Sequence, residues 1–464
     1  MRTEHDLLGI LEVSDNVYYG VHTLRALNNF KISDKTIADL PEIIYGIVVV
    51  KKATAITNNQ LGVLEDKLCQ AIVTACDSII EKIDKDPQWI AQNFPIDIYQ
   101  GGAGTSTNMN ANEVIANLAL ETLGLEKGQY SIINPNDHVN MSQSTNDAYP
   151  TAVRIALILG GNSLITHLEK LRDAFEQKEL EFSDVYKMGR TELQDAVPMT
   201  LGQEFSAYKE LMSEEILFIQ KMASLLHEMN LGATAIGTGI NAPKGFAQAI
   251  EQVLSEVTGM VAISSPNLIE ATSDTGAYVS FSLALKRLAI KLLKICNDLR
   301  LLSSGPRAGF NDINLPEVQA GSSIMPGKIN PVIPEVIGQI CFKVIGNDLT
   351  VCEASASGQL QLNYAEPVML LSLFESIHLL ENGIDTLREK CVVGITANQE
   401  VTENYVKNSI GLITFLNRSI GHDKADEVAK ICLATGKSVR EIILEKELMS
   451  EEELDEILDF KKMV

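Results

Sequence analysis

Two apolar seams constrain this chain more than any other feature of its sequence. Leu285, Leu288, Leu292, Ile295, Leu299 and Leu302 are separated alternately by three and four residues, and Leu370, Leu373, Ile377, Leu380, Ile384 and Leu387 repeat the pattern. Such spacing lines one face of a helix for about five turns and demands a second helix along its length. Leu164, Leu168, Leu171 and Phe175 form a third stripe, and Met212, Ile216, Ile219, Ala223 and Leu226 a fourth. Gly305-Pro306 closes the first seam as a helix stop should. With little strand signal between the stripes, the chain is predicted to be mainly α, built on a long central helical bundle. Leu283, Ile290 and Leu293 lie off the seam. The bundle is therefore expected to be buried on more than one side, as an oligomer would achieve.

Three regimes follow along the chain. Residues 1–145 read as a mixed, mostly helical domain with loops such as Gly101-Gly102-Ala103-Gly104 and Asn134-Pro135-Asn136. Residues 146–395 carry the long helices, and 396–464 form a small helical domain with acidic ends such as Glu451-Glu452-Glu453. At ~150 residues per domain, 464 residues agree with that division. Sixty-one acidic against 38 basic residues leave a net charge of −23, which argues against the basic face that nucleic acid requires. The seven cysteines are scattered without a C-x-x-C pair, so reduced thiols are expected rather than a disulfide framework or a zinc site. The opening Met-Arg-Thr-Glu-His-Asp places acids where a signal peptide is apolar. No uncharged apolar stretch approaches the ~18–20 residues of a membrane span. The expected setting is the cytoplasm, away from membranes.

The loops between the stripes hold an unusual stock of small polar donors. Gly104-Thr105-Ser106 leads into Asn108, Asn110 and Asn112, and Ser142-Gln143-Ser144-Thr145-Asn146-Asp147 precedes a helix. Gly189-Arg190-Thr191-Glu192, Gly237-Thr238-Gly239 and the run Gly321 to Pro331 (G-S-S-I-M-P-G-K-I-N-P) add more. Each alone is an ordinary cap or turn; together they exceed what capping needs. If they converge, hydroxyls, amides and the Lys328 ammonium make a pocket for carboxylates. The 321–330 loop is not a phosphate-binding P-loop, because five residues separate its glycines and Ile329 replaces the magnesium-binding Ser/Thr. No G-x-S-x-G elbow and no H-E-x-x-H is present. Ala356-Ser357-Gly358 matches the tripeptide that cyclises in aromatic ammonia-lyases, but its flanks do not. His138 borders the Ser144 loop and reads as a hydrogen-bonded structural histidine.

The run at 321–331 resembles the signature of the aspartase/fumarase superfamily, lyases that eliminate across a C–C bond to release fumarate. G-G-A-G-T-S-T-N-M-N-A-N-E at 101–113, N-P-N-D-H-V-N-M-S-Q-S-T-N-D-A-Y-P at 134–150 and G-R-T-E-L-Q-D-A-V-P at 189–198 join it. Y-Y-G-V-H-T-L-R-A at 18–26 and G-K-S-V-R-E at 436–441 carry the resemblance across nearly the whole chain. Ser144-Thr145-Asn146-Asp147, Asn134-Pro135-Asn136-Asp137 and L-Q-L-N-Y-A-E-P at 360–367 look like the aspartase branch rather than class II fumarases.

The resemblance implies a three-domain fold whose helices form a twenty-helix core in a homotetramer, each active site being shared by three subunits. It implies reversible deamination of L-aspartate to fumarate and ammonia without an organic cofactor. Some members are activated by a divalent cation such as Mg, and nothing in this sequence marks such a site. Ser322 would be the base that takes the C3 proton. Lys328 and Asn330 would bind a substrate carboxylate. Thr105, Ser106, Ser144 and Thr145 would hold the oxygens of the resulting enediolate, while Asn146 and Thr191 would meet the amino group and the second carboxylate. Arg25 would be a further carboxylate partner. Glu192 departs from the His or Gln usual at its position; it is expected to face the ammonium or to point out of the pocket. The competing readings are a class II fumarate hydratase and a catalytically silent structural homologue.

Overall fold

The computed structural model describes residues 1–463. It is mainly helical, and its eight strands pair only in twos. All four stripes read from the sequence are buried, with Leu285, Leu288, Leu292, Leu370, Leu373 and Leu387 each at most 1% exposed. The first seam occupies the Gly276–Leu302 helix, which ends three residues before Gly305. Leu283 and Ile290 remain exposed in the single chain.

The chain divides into two compact units. The first comprises Met1–Ile165, Leu217–Arg287 and Phe342–Leu379; the second comprises Thr166–Ile216, Leu288–Cys341 and the chain from Leu380 on.

In the first unit, the Pro41–Gln60 helix starts with proline at its first turn, where the missing N–H costs nothing. It is then buried on nearly all sides. Gly46 lets it approach the Thr145–Glu181 helix backbone to backbone: a Cβ there would lie 2.4 Å from the Ala152 carbonyl oxygen. Gly160 and Gly161 serve the same helix further on, where side chains would crowd Phe374 and Ile377 on one side and Phe281 on the other. Pro150 sits inside this helix and cannot donate to the carbonyl of Asn146. Asn230 Nδ2 donates to it instead, at 3.0 Å. One 18-residue window of the Thr145–Glu181 helix is long and apolar enough to cross a bilayer, but 72% of it is buried inside the fold, as in a core helix.

In the second unit, Tyr186–Thr191 and Gln194–Thr200 form an antiparallel hairpin with a bulge between Met188 and Arg190. Ile313–Asn314 pairs antiparallel with Thr396–Ala397. Gly383 admits Ile337 and Ile340, against which a Cβ would stand 3.0–3.3 Å away. The C-terminal helices close around Val406, Leu416, Val428, Ile442, Ile443 and Leu454.

Candidate active site

The predicted site residues fall in both units. In the first, the Thr105–Thr122 helix begins after Gly104, whose φ of 88° lies in the left-handed region. A side chain at Gly104 would also strike the ring of Tyr149. The helix is almost wholly buried beyond its first turn, so its asparagines must find partners inside. Asn108 Nδ2 donates to Thr145 Oγ1 and to Asn140 Oδ1, both at 3.1 Å. Asn112 Nδ2 reaches the same Asn140 oxygen at 3.2 Å. Asn110 turns away to the carbonyl of Asn93. The oxygens Oδ1 of Asn108, Asn110 and Asn112 are buried without a hydrogen-bond partner.

Lys51, fully buried on the Pro41–Gln60 helix, completes this network. Its Nζ donates to Asn140 Oδ1 at 2.9 Å and to Gln143 Oε1 at 2.7 Å. Burial pushes the Lys51 ammonium down to about 7, against the pull of Asp147. Sequence reasoning missed it, since a lysine inside an apolar helix run looks like a surface residue; the absence of an acidic partner at i±4 was the available signal.

Thr145 accepts the Asn108 bond, so its own proton is free for another oxygen. Ser144 Oγ accepts from Asn146 N at 3.2 Å, which is capping geometry. Asn146 Nδ2 is engaged with the Ala235 carbonyl at 2.8 Å. Asp147 accepts from the backbone of Ser144, Gly232 and Thr234, holding the start of this helix to the 232–234 segment. Burial raises its carboxyl to about 6 in spite of those three donors. Thr105 is exposed and donates to the Gly102 carbonyl at 2.7 Å, while Ser106 is half-buried. Arg25 is held by Asp6 through Nε and Nη2, both at 2.7 Å, which leaves Nη1 for any other anion. His138 Nδ1 accepts from Asn134 N at 2.9 Å.

In the second unit, the 321–330 loop is closed at its base. Gly321 N donates to the Lys328 carbonyl at 2.8 Å, and Asn330 Nδ2 to the Gly321 carbonyl at 2.6 Å. A Cβ on Gly321 would lie 2.4 Å from that Lys328 oxygen, so only glycine fits. Within the loop, Ser322 Oγ accepts from Ile324 N at 3.2 Å and Met325 N at 3.0 Å. No helix follows that these bonds could cap. Lys328 is exposed. It lines, with Asn330 and Asn314, a cavity of about 780 Å³ to which Ser322 does not contribute. Thr191 is exposed at the end of its strand, and Glu192 and Leu193 form the hairpin turn with φ of 52° and 62°. Among the described residues no cluster of three or more His, Cys, Asp or Glu side chains is placed to hold a metal ion.

Comparison with known proteins decides the family. Residues 9–346 match the Lyase family model, and residues 412–464 match the Fumarase C C-terminus. Aspartate ammonia-lyase of Escherichia coli (strain K12) is 57% identical over 464 residues, covering 100% of this chain and 96% of its own length. The chain belongs to the aspartate ammonia-lyase family. It is thereby a carbon–nitrogen lyase, with the mainly helical fold of its superfamily. The solved structure of fumarate lyase:delta crystallin from Brucella melitensis bound to cobalt is 49% identical, with a TM-score of 0.96 over 100% of this chain and 99% of that one. Recombinant class II fumarase from Schistosoma mansoni is 33% identical, with a TM-score of 0.93 over 100% and 98%.

Proposed function

We propose that this lyase catalyses the reversible deamination of L-aspartate to fumarate and ammonia by anti elimination, with Ser322 as the base. The observation that carries this reading is the pair of backbone N–H groups, from Ile324 and Met325, directed at Ser322 Oγ. A serine hydroxyl is too weakly acidic to lose its proton unaided. Two fixed amide dipoles on one oxygen favour the alkoxide, and the Lys328 ammonium of the same loop adds positive charge.

The alkoxide removes the C3 proton of aspartate, and the electron pair passes into the adjacent carboxylate as an enediolate. Thr105, on turning its proton from the Gly102 carbonyl, and Ser106, Ser144 and Thr145 donate to its oxygens, with Thr145 the best prepared because Asn108 already occupies its acceptor side. Donors that bind the enediolate more tightly than the carboxylate lower the barrier. Collapse of the enediolate then breaks the C2–N bond, the ammonium group leaves from the opposite face as neutral ammonia, and Ser322 returns to the alkoxide by releasing the C3 proton to solvent. Lys328 and Asn330 hold a substrate carboxylate. Asn146 and Thr191 meet the amino group and the second carboxylate, and Arg25, through its remaining Nη1, is an outer carboxylate partner. The reading needs no organic cofactor, and activation by a divalent cation such as Mg belongs to its test.

We also propose a cytoplasmic homotetramer with active sites shared by three subunits. Leu283 and Ile290 on one helix, and Phe342 and Leu349 on another, are exposed and spaced by seven residues, the pattern of a helix–helix seam. The seven cysteines, all free, suit a reducing compartment.

The test follows fumarate absorbance with L-aspartate and then L-malate, each with and without magnesium. Fumarate from aspartate, lost in Ser322→Ala, is the expected result. Fumarate from malate alone would make the chain a fumarate hydratase, and silence with both would favour a structural homologue or another amino acid opposite Glu192.

A further inference from the structure

Beside the hairpin that carries Thr191, the second unit buries a charge cluster with no part in the chemistry just described. Asp312 is fully buried and Lys187 is 2% exposed. Asp312 takes both arms of the Arg190 guanidinium, at 2.7 and 3.1 Å, and stands 3.3 Å from Lys187 Nζ, which also pairs with Glu204. That guanidinium lies over the ring of Phe310, 4.3 Å from its centre, and 5.6 Å from the ring centre of Tyr405. Arg190 thus spends both terminal nitrogens on Asp312.

Buried ion pairs are weak evidence for stability, because desolvation offsets their attraction. What this one fixes is position. Arg190 directly precedes Thr191, and the bulge at Gly189 aims its side chain toward Asp312. Gly189 suits the bulge, since a Cβ would lie 2.9 Å from the Val197 carbonyl oxygen. Asp312 is itself pinned: its N–H donates to Leu302 O at 2.8 Å and its carbonyl accepts from Asn398 N at 2.9 Å. The turn beyond Thr191 needs such an anchor, because Glu192 and Leu193 both hold left-handed backbone that side-chain-bearing residues resist.

We propose that Asp312 is a positioning residue for the deamination, acting through Arg190 to fix Thr191 and the Glu192-Leu193 turn against substrate. The inference rests on the reading that Thr191 meets the substrate.

The test compares kcat, KM for L-aspartate and Tm in the full-length protein for Thr191→Ala, Asp312→Asn and the double variant. Small displacements of a binding group cost one to two powers of ten, so Thr191→Ala and Asp312→Asn should each raise KM about tenfold while kcat changes less than about twofold. The double variant should be no worse than Thr191→Ala alone, because a residue acting through another has nothing left to act on. Arg190→Lys keeps the charge but loses the fork; it should reproduce the rise in KM and serves if Asp312→Asn fails to fold. Multiplying effects in the double variant, or a lower Tm with unchanged KM, would overturn the role of Asp312. Normal kinetics in Thr191→Ala would overturn the assignment of Thr191 itself, and with it the proposal.

Discussion

Thr145 and Ser322 are both hydroxyls that accept hydrogen bonds, yet the two are held differently. The donor to Thr145 is the amide of Asn108, itself tied to Asn140, which also receives Lys51 and Asn112 from other turns of buried helix. The donors to Ser322 are the N–H groups two and three residues further along its own chain, in a loop whose surface faces solvent. One hydroxyl is fixed by the fold and the other by a turn. The difference suits their proposed tasks. A group that stabilises developing charge gains from being immobile before substrate arrives, whereas a base that must meet a carbon acid and let product leave gains from a segment that moves independently.

Four experiments would break or sharpen that contrast. Ser322→Ala should show the largest effect, a fall in turnover of about 10²–10⁴-fold. Its stability should stay within about 0.5 kcal/mol of the parent in denaturant titration, because the Ile324 and Met325 N–H groups that lose Oγ lie in an exposed loop and can turn to water. Thr145→Val should lower turnover by about 10²–10³-fold and also cost about 0.5–1.5 kcal/mol, since Asn108 loses a partner. Equal stability in the two variants would erase the distinction.

Lys51→Met tests the network without touching a proposed substrate contact, and should destabilise by about 1–3 kcal/mol through the Gln143 oxygen it leaves unsatisfied, Asn140 Oδ1 keeping Asn108 and Asn112. The fourth test is the pH dependence of stability. The folded chain binds the Lys51 proton with a value near 7, against 10.5 in the ordinary side chain. Between those values the unfolded chain takes up a proton that the folded chain does not, so this group lowers stability as pH falls from about 10.5 to 7. Asp147, raised from 3.8 to about 6, acts oppositely: the stability it gives below pH 3.8 is lost as pH rises through 6. Thermal unfolding of Lys51→Met should therefore show a shallower slope above pH 7 than the parent. An unchanged slope would mean that Lys51 keeps its charge when buried.

The helical architecture was legible because it rests on periodicity: every residue of the two long seams is buried in the folded chain. The loop motifs pointed to the lyase family to which the chain belongs, because few folds need Ser322, Lys328 and Asn330 in one short loop. What sequence could not supply was the partner of each polar group. Arg25 read as an anion binder, and the structure gives most of its guanidinium to Asp6, nineteen residues away. Asp312 drew no notice because its meaning depends on Arg190, 122 residues distant. Lys51 was hidden for the same reason, its partners lying 89 and 92 residues on. Pattern reveals faces of helices; it does not reveal who meets across them.

Pro150 carries a consequence for the order in which the molecule assembles during synthesis. The carbonyl it strands at Asn146 is satisfied by Asn230, and the neighbouring Asp147 by the N–H groups of Gly232 and Thr234. These partners leave the ribosome some 84 to 87 residues later. Until then the start of the Thr145–Glu181 helix, with Ser144 just before it and Thr145 and Asn146 upon it, has neither the donor that its stranded carbonyl needs nor its clasp. The end of the longest helix that bears the proposed substrate contacts is thus completed only by a later stretch of chain, and a nascent chain halted before Asn230 would have the helix without its working tip.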